Sequence, residues 1–109
     1  MLSDERCEFI INHATGMALD AVWLYLEDDS TSYEDRKNKF IYVINTMAKD
    51  GVIVFAKNGV NLDKNTIAEK FIASFPDSDE DLNNGVWFFT DICPSGIGWV
   101  MSDGSIDWV

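Results

Sequence analysis

The sequence predicts an α+β domain of three to four helices with a small antiparallel sheet that includes a C-terminal β-hairpin. Three observations carry this. Apolar residues recur at three- and four-residue steps through the first half of the chain. A short β-branched run, Val52-Ile53-Val54-Phe55, stands between Gly51 and a Lys57-Asn58-Gly59 turn. Near the end Ile97, Trp99 and Met101 alternate, Asp103-Gly104 supplies a turn, and Ile106 and Trp108 alternate again.

Each element has its own signals. Ser3 is an N-cap candidate, followed by Asp4 and Glu5 where a helix dipole favours acids. Cys7, Ile11, Ala14, Ala18, Val22 and Tyr25 mark one helical face, and Gly16 either splits this stretch into two helices or permits close packing. Glu27-Asp28-Asp29 are acids at the wrong helix end and read as loop. Thr31 and Glu34 have capping-box spacing, and Phe40, Val43, Ile44 and Met47 form the inner face of the next helix. Lys49 and Gly51 mark its end. A third helix is expected over 64–74 with Ile67, Phe71, Ile72 and Phe75 inward and Pro76 after it. Trp87-Phe88-Phe89 fits either a short helix or a strand. In the terminal hairpin, Trp99 and Trp108 are expected on one buried face.

At 109 residues the chain is expected to form one domain, 1–109, since two would each be too small to hold a core. Hydrophobic residues are 47% and aromatics 13%, enough for a packed interior, which excludes a disordered tail. Two cysteines, Cys7 and Cys93, do not make a disulfide framework and read as buried thiols. The N-terminal Met-Leu-Ser-Asp-Glu-Arg lacks the apolar run of a signal peptide, and no stretch approaches the roughly 20 apolar residues of a membrane span. The cytoplasm is the expected compartment, with no membrane partner.

The formal charge is −11. Residues 1–30 carry seven acids against Arg6, residues 31–57 three acids against five bases, and residues 58–75 two of each. Residues 76–109 carry seven acids and no base. Phosphate binding needs Lys and Arg. The last third offers neither, and would instead steer a cationic partner toward itself.

No residue pattern points to catalysis, a metal or a cofactor. His13 is the lone histidine, and Cys7, six residues earlier, does not share its helical face. Cys93-Pro94 lies among acids, which raise a thiol pKa, so it reads as a structural turn rather than a nucleophile. Asp77, Asp79 and Asp81 begin like a calcium loop, but Leu82 and Phe88 occupy the positions that need glycine and glutamate. A solvated acidic loop is the plainer reading. The expected element order is also that of a winged helix-turn-helix, yet the would-be wing carries Asp103 and Asp107 and no base, which argues against DNA. A regulatory winged-helix-like module is the alternative to a protein-binding one.

The stretch Phe40 to Val54, then Phe71–Pro76, Gly85-Val86-Trp87-Phe88, Cys93-Pro94, Gly98-Trp99 and Gly104 to Trp108 resembles a family of short, acidic, uncharacterised bacterial proteins. Its most specific part is the set of tryptophans around Cys-Pro and Gly-Trp. Some such proteins are similar to immunity proteins of contact-dependent or other secreted toxins. The resemblance thus implies a non-catalytic, toxin-neutralising protein. The acids Asp77, Asp79, Glu80, Asp81, Asp103 and Asp107 are the expected contact surface for a basic protein.

Overall fold

The computed structural model describes residues 2–83 and 85–109. Its described elements are α1 (Asp4–Ala14), α2 (Leu19–Tyr25), α3 (Tyr33–Lys49), β1 (Ile53–Lys57), β2 (Val60–Leu62), α4 (Ile67–Ser74), α5 (Asp79–Leu82), a 3₁₀ helix (Val86–Phe89), β3 (Gly96–Val100) and β4 (Ile106–Trp108). The α+β class and the small antiparallel sheet with its terminal hairpin are as the sequence predicts. The single strand expected at 52–55 is instead the first arm of a second hairpin, and both hairpins share one sheet of order β2-β1-β3-β4.

The helices start and stop where local chemistry directs. Ser3 caps α1, its hydroxyl accepting from the Arg6 N–H. The chain breaks at Gly16, so 4–25 is two helices. The cap of α3 is Ser32 rather than Thr31, and it accepts from the Asp35 N–H at 3.0 Å. Asp35, not Glu34, reaches back to the Thr31 N–H at 3.0 Å. The same carboxylate pairs with Lys39 at 2.9 Å, so the shifted box also serves an i,i+4 ion pair. At the far end Gly51 and Val52 donate to the carbonyls of Ala48 and Met47, a Schellman closure that aims the chain into β1. Helix α4 starts later than expected because Asp63 accepts from the Asn65 N–H and holds 63–66 as a turn. That leaves Ile67, Phe71 and Phe75 buried but Ile72 56% exposed, about 100° around the helix from Phe71.

One face of the sheet is the floor of the core. Ile53 pairs with Trp99 and Phe55 with Ile97, and all four are buried. The Trp99 indole N–H donates to the Met17 carbonyl at 2.9 Å, tying β3 to the α1–α2 link. The outer face carries Val54, Ala56, Gly96, Gly98, Val100, Ile106 and Trp108, with no charged side chain among them.

Trp108 does not share the buried face of Trp99. It lies opposite Gly98 and is 52% exposed, while Trp99 opposes Asp107. The cause is the turn. A two-residue Asp103-Gly104 turn would place Trp99 opposite Trp108, but here Met101 pairs with Ser105 and three residues intervene, with Gly104 at φ +87°. One added residue moves every β4 side chain to the other face. Trp108 and Ile106 instead close over Gly98, where an added Cβ would stand 2.4 Å from Ile106 Cγ2 and 2.8 Å from Trp108 Cε3. Both atoms belong to an edge strand three residues long.

The glycine is therefore a steric requirement of this register. Gly98→Val should destabilise the fold by about 1–3 kcal/mol, the usual effect of overpacking. It should also redden Trp108 fluorescence, measured in a Trp23, Trp87 and Trp99-matched comparison with Trp108→Phe. Unchanged stability and emission would mean that the hairpin does not hold this register.

Candidate functional site

The acidic stretch is built around one buried side chain. Ser78 caps α5, accepting from the Asp81 N–H at 3.2 Å, and Leu82 is buried at the end of that single turn. Asp77, Asp79, Glu80 and Asp81 are left exposed around it. Asn83 and Gly85, both with positive φ, then turn the chain sharply into the 3₁₀ helix. A Cβ at Gly85 would lie 3.2 Å from the Asp20 Cβ, so α2 presses directly on this corner.

The 3₁₀ helix resolves the open reading of Trp87-Phe88-Phe89. Trp87 and Phe88 point inward. Trp87 meets Phe75 with ring centroids 5.0 Å apart, and Phe88 meets Phe40 at 5.2 Å and Trp23 at 6.2 Å. With three residues per turn, Val86 and Phe89 share the opposite side. They are 53% and 67% exposed, and Ile92, three residues on, is 66% exposed. Sequence reasoning missed these three. The one available signal was their spacing of three around Trp87 and Phe88.

The six expected contact acids fall into two groups. Asp77, Asp79, Glu80 and Asp81 lie in and just before α5; of these, Asp79 joins Glu27, Ser30, Thr31, Ser32, Tyr33 and Arg36 in lining a shallow cleft of about 230 Å³ at the start of α3, and Asp77 and Asp81 also act on Tyr33. Asp103 lies in the β3–β4 turn, accepting from the Ser105 hydroxyl at 2.6 Å and its N–H at 2.9 Å, which holds its carboxyl below the usual range. Asp107 is exposed on β4. Among the described residues no hydrogen bond or ion pair links the two groups.

The remaining candidates have ordinary settings. His13 is exposed, stacked on Phe9 with centroids 3.9 Å apart, and its Nδ1 lies 2.8 Å from the Phe9 carbonyl. Cys7 and Cys93 are free and buried, and burial pushes both thiols up, the opposite of what a thiolate nucleophile needs. Lys57 donates to the carbonyls of Asp91 and Cys93 and so fastens the loop after the 3₁₀ helix to β1. Among the described residues no three His, Cys, Asp or Glu side chains are grouped to hold a metal ion, and no helix is long and apolar enough to cross a membrane.

Fold and surface together define a small acidic α+β protein with a four-stranded antiparallel sheet covered by helices on one face. The chain belongs to the family described as protein of unknown function, DUF596, which its residues 48–109 match. It is also similar in structure to an uncharacterised protein conserved in bacteria, from Neisseria meningitidis. That likeness has a TM-score of 0.79 at 20% identity and covers 96% of this chain and 84% of the other. At that identity it is a likeness of fold. No curated protein matches the chain.

Tyr33 reports on the acidic corner. Its hydroxyl donates to the Pro76 carbonyl at 2.7 Å. Burial, then Asp79, Glu34, Asp77 and Asp81, push its phenol from 10.0 up to about 12. The folded value lies above the unfolded one, so the fold favours the protonated phenol. That contribution is whole below pH 10.0 and is lost as pH rises through about 12. Ultraviolet titration against Tyr33→Phe should give a Tyr33 midpoint near 12, and Asp79→Asn should lower it. An ordinary midpoint that ignores Asp79→Asn would separate Tyr33 from these acids.

Proposed function

We propose that this chain is a non-catalytic protein-binding module whose acidic C-terminal third meets a basic protein partner. The observation that carries the reading is the partition of charge. All seven ionisable acids and bases of residues 76–109 are acids, and Asp77, Asp79, Glu80, Asp81, Asp103 and Asp107 are all exposed. Three bases border this segment and the fold holds each of them, Lys57 by the carbonyls of Asp91 and Cys93. Arg36 donates to the Trp23 carbonyl and stacks on the Trp23 ring, and Lys37 lies over Phe75. These bases keep their charge and offset only part of the seven acids, so the net negative potential of the segment attracts a cationic surface and repels nucleic acid and anionic lipid.

The resemblance to immunity-like bacterial proteins directs the first partner to try. It is a basic toxin domain, neutralised in the cytoplasm by occlusion rather than by chemistry. An inhibitor of that kind needs no cofactor or metal.

Capture from the native host, identification by mass spectrometry and stopped-flow kinetics with the purified partner test the proposal. Changing Asp77, Asp79, Glu80 and Asp81 to Asn or Gln should slow association by roughly tenfold or more at low salt. Stability should move by no more than about 0.5 kcal/mol, as is usual for exposed substitutions. The same number of neutralisations at Glu5, Glu8, Asp50 and Glu69 should do much less. Equal effects from both sets, or none from either, would reduce the acidic third to solubilising surface.

A further inference from the structure

The charge partition says what sign of partner this surface attracts but not where an interface would be anchored. Charges at an interface rim act on association rate, while a desolvated apolar centre holds the complex together. Among its described residues the acidic third exposes two apolar features, the outer sheet face with Val100 and Trp108 and a second one beside the acids of α5. Val86, Phe89 and Ile92 project from the 3₁₀ helix and the turn after it, the turn closed by the Cys93 N–H on the Thr90 carbonyl. The outward direction is imposed from inside, because Trp87 and Phe88 occupy the core on the other side of the same turn. The loop is pinned at its far end by Lys57. The ridge is thus presented by a rigid support, which lowers the ordering cost of binding.

Acids surround it. Asp20 touches the corner at Gly85, Asp91 lies between Phe89 and Ile92, and α5 with Asp79, Glu80 and Asp81 packs directly against the 3₁₀ helix. An exposed phenylalanine bordered mainly by carboxylates matches an apolar pocket or strip bordered by Lys and Arg. We propose that Val86, Phe89 and Ile92 form the anchor of a docking surface for a basic protein with such a pocket, with Phe89 as the principal inserted side chain. This rests on the acidic-third reading and specifies its centre.

Two probes separate the ridge from the charge around it. One is a synthetic amphipathic Leu-Lys helical peptide, and the other is polylysine, which offers charge alone. The Leu-Lys peptide should shift the amide resonances of residues 85–92 first. Phe89→Ser with Ile92→Ser should weaken that peptide by roughly tenfold, as truncation of an interface anchor does. Polylysine affinity should not change. Both side chains lie outside the core, so the variant should melt as the parent does. Val60→Thr, an equally exposed apolar change on β2, should affect neither probe. Neutralising Asp79, Glu80, Asp81 and Asp91 should weaken both.

If the Phe89/Ile92 variant binds the peptide as tightly as the parent while the acid variant does not, the anchor is refuted and the acidic surface stands. If neither probe binds the parent, both readings fall. If the parent sediments as a dimer that Phe89→Ser returns to monomer, a second copy covers the ridge and the proposal is overturned.

Discussion

The Trp23 indole is the point on which the two halves of this chain meet. Its ring centroid lies 5.6 Å from Tyr33, 6.0 Å from Phe40, 5.4 Å from Phe75 and 6.2 Å from Phe88. These partners come from α3, from the end of α4 and from the 3₁₀ helix. The Arg36 guanidinium closes the cluster, 4.3 Å from the ring, and donates to the Trp23 carbonyl at 2.6 Å. Edge-to-face and tilted ring pairs of this kind add stability beyond the area they bury. A short α2, only seven residues long, has little helical stability of its own and is held by this packing.

The acidic surface is a consequence of that core. The described residues of 76–92 contain only short elements, a four-residue helix and a four-residue 3₁₀ turn. What orders them is the inward set Phe75, Leu82, Trp87 and Phe88, packed toward Trp23 and Phe40. Once those four are seated, the intervening acids and the Val86–Phe89 side have only solvent to face. The same segment that lowers the chain's free energy by burying aromatic area thereby displays charge and an apolar ridge in a fixed arrangement.

How much of this was legible in the sequence follows from the strength of the local signals. Helix α3 was plain, because Phe40, Val43, Ile44 and Met47 repeat at helical spacing and Lys49-Gly51 ends the run. The 3₁₀ helix was not, because Val86 to Phe89 is four apolar residues without a period. Strand β2 went unread because three residues are too few to show alternation, although Asn58-Gly59, both with positive φ, is a hairpin turn pair. Hairpin register was hidden in the turn. Asp-Gly suits both two- and three-residue loops, and the choice between them decides the face of Trp108. For the candidate site, the acids were visible by composition. The ridge was not, since Phe89 and Phe88 differ only in which side of a tight turn they occupy.

The central claim is that Trp23 on α2 and Phe88 on the 3₁₀ helix hold the acidic segment to the helical half through direct contact. A double-mutant cycle measures this most directly, from denaturant unfolding of Trp23→Leu, Phe88→Leu and the double variant. The account predicts a coupling energy of about 0.5 kcal/mol or more, as found for side chains in contact. Additivity within error, with each single change costing stability independently, would contradict it.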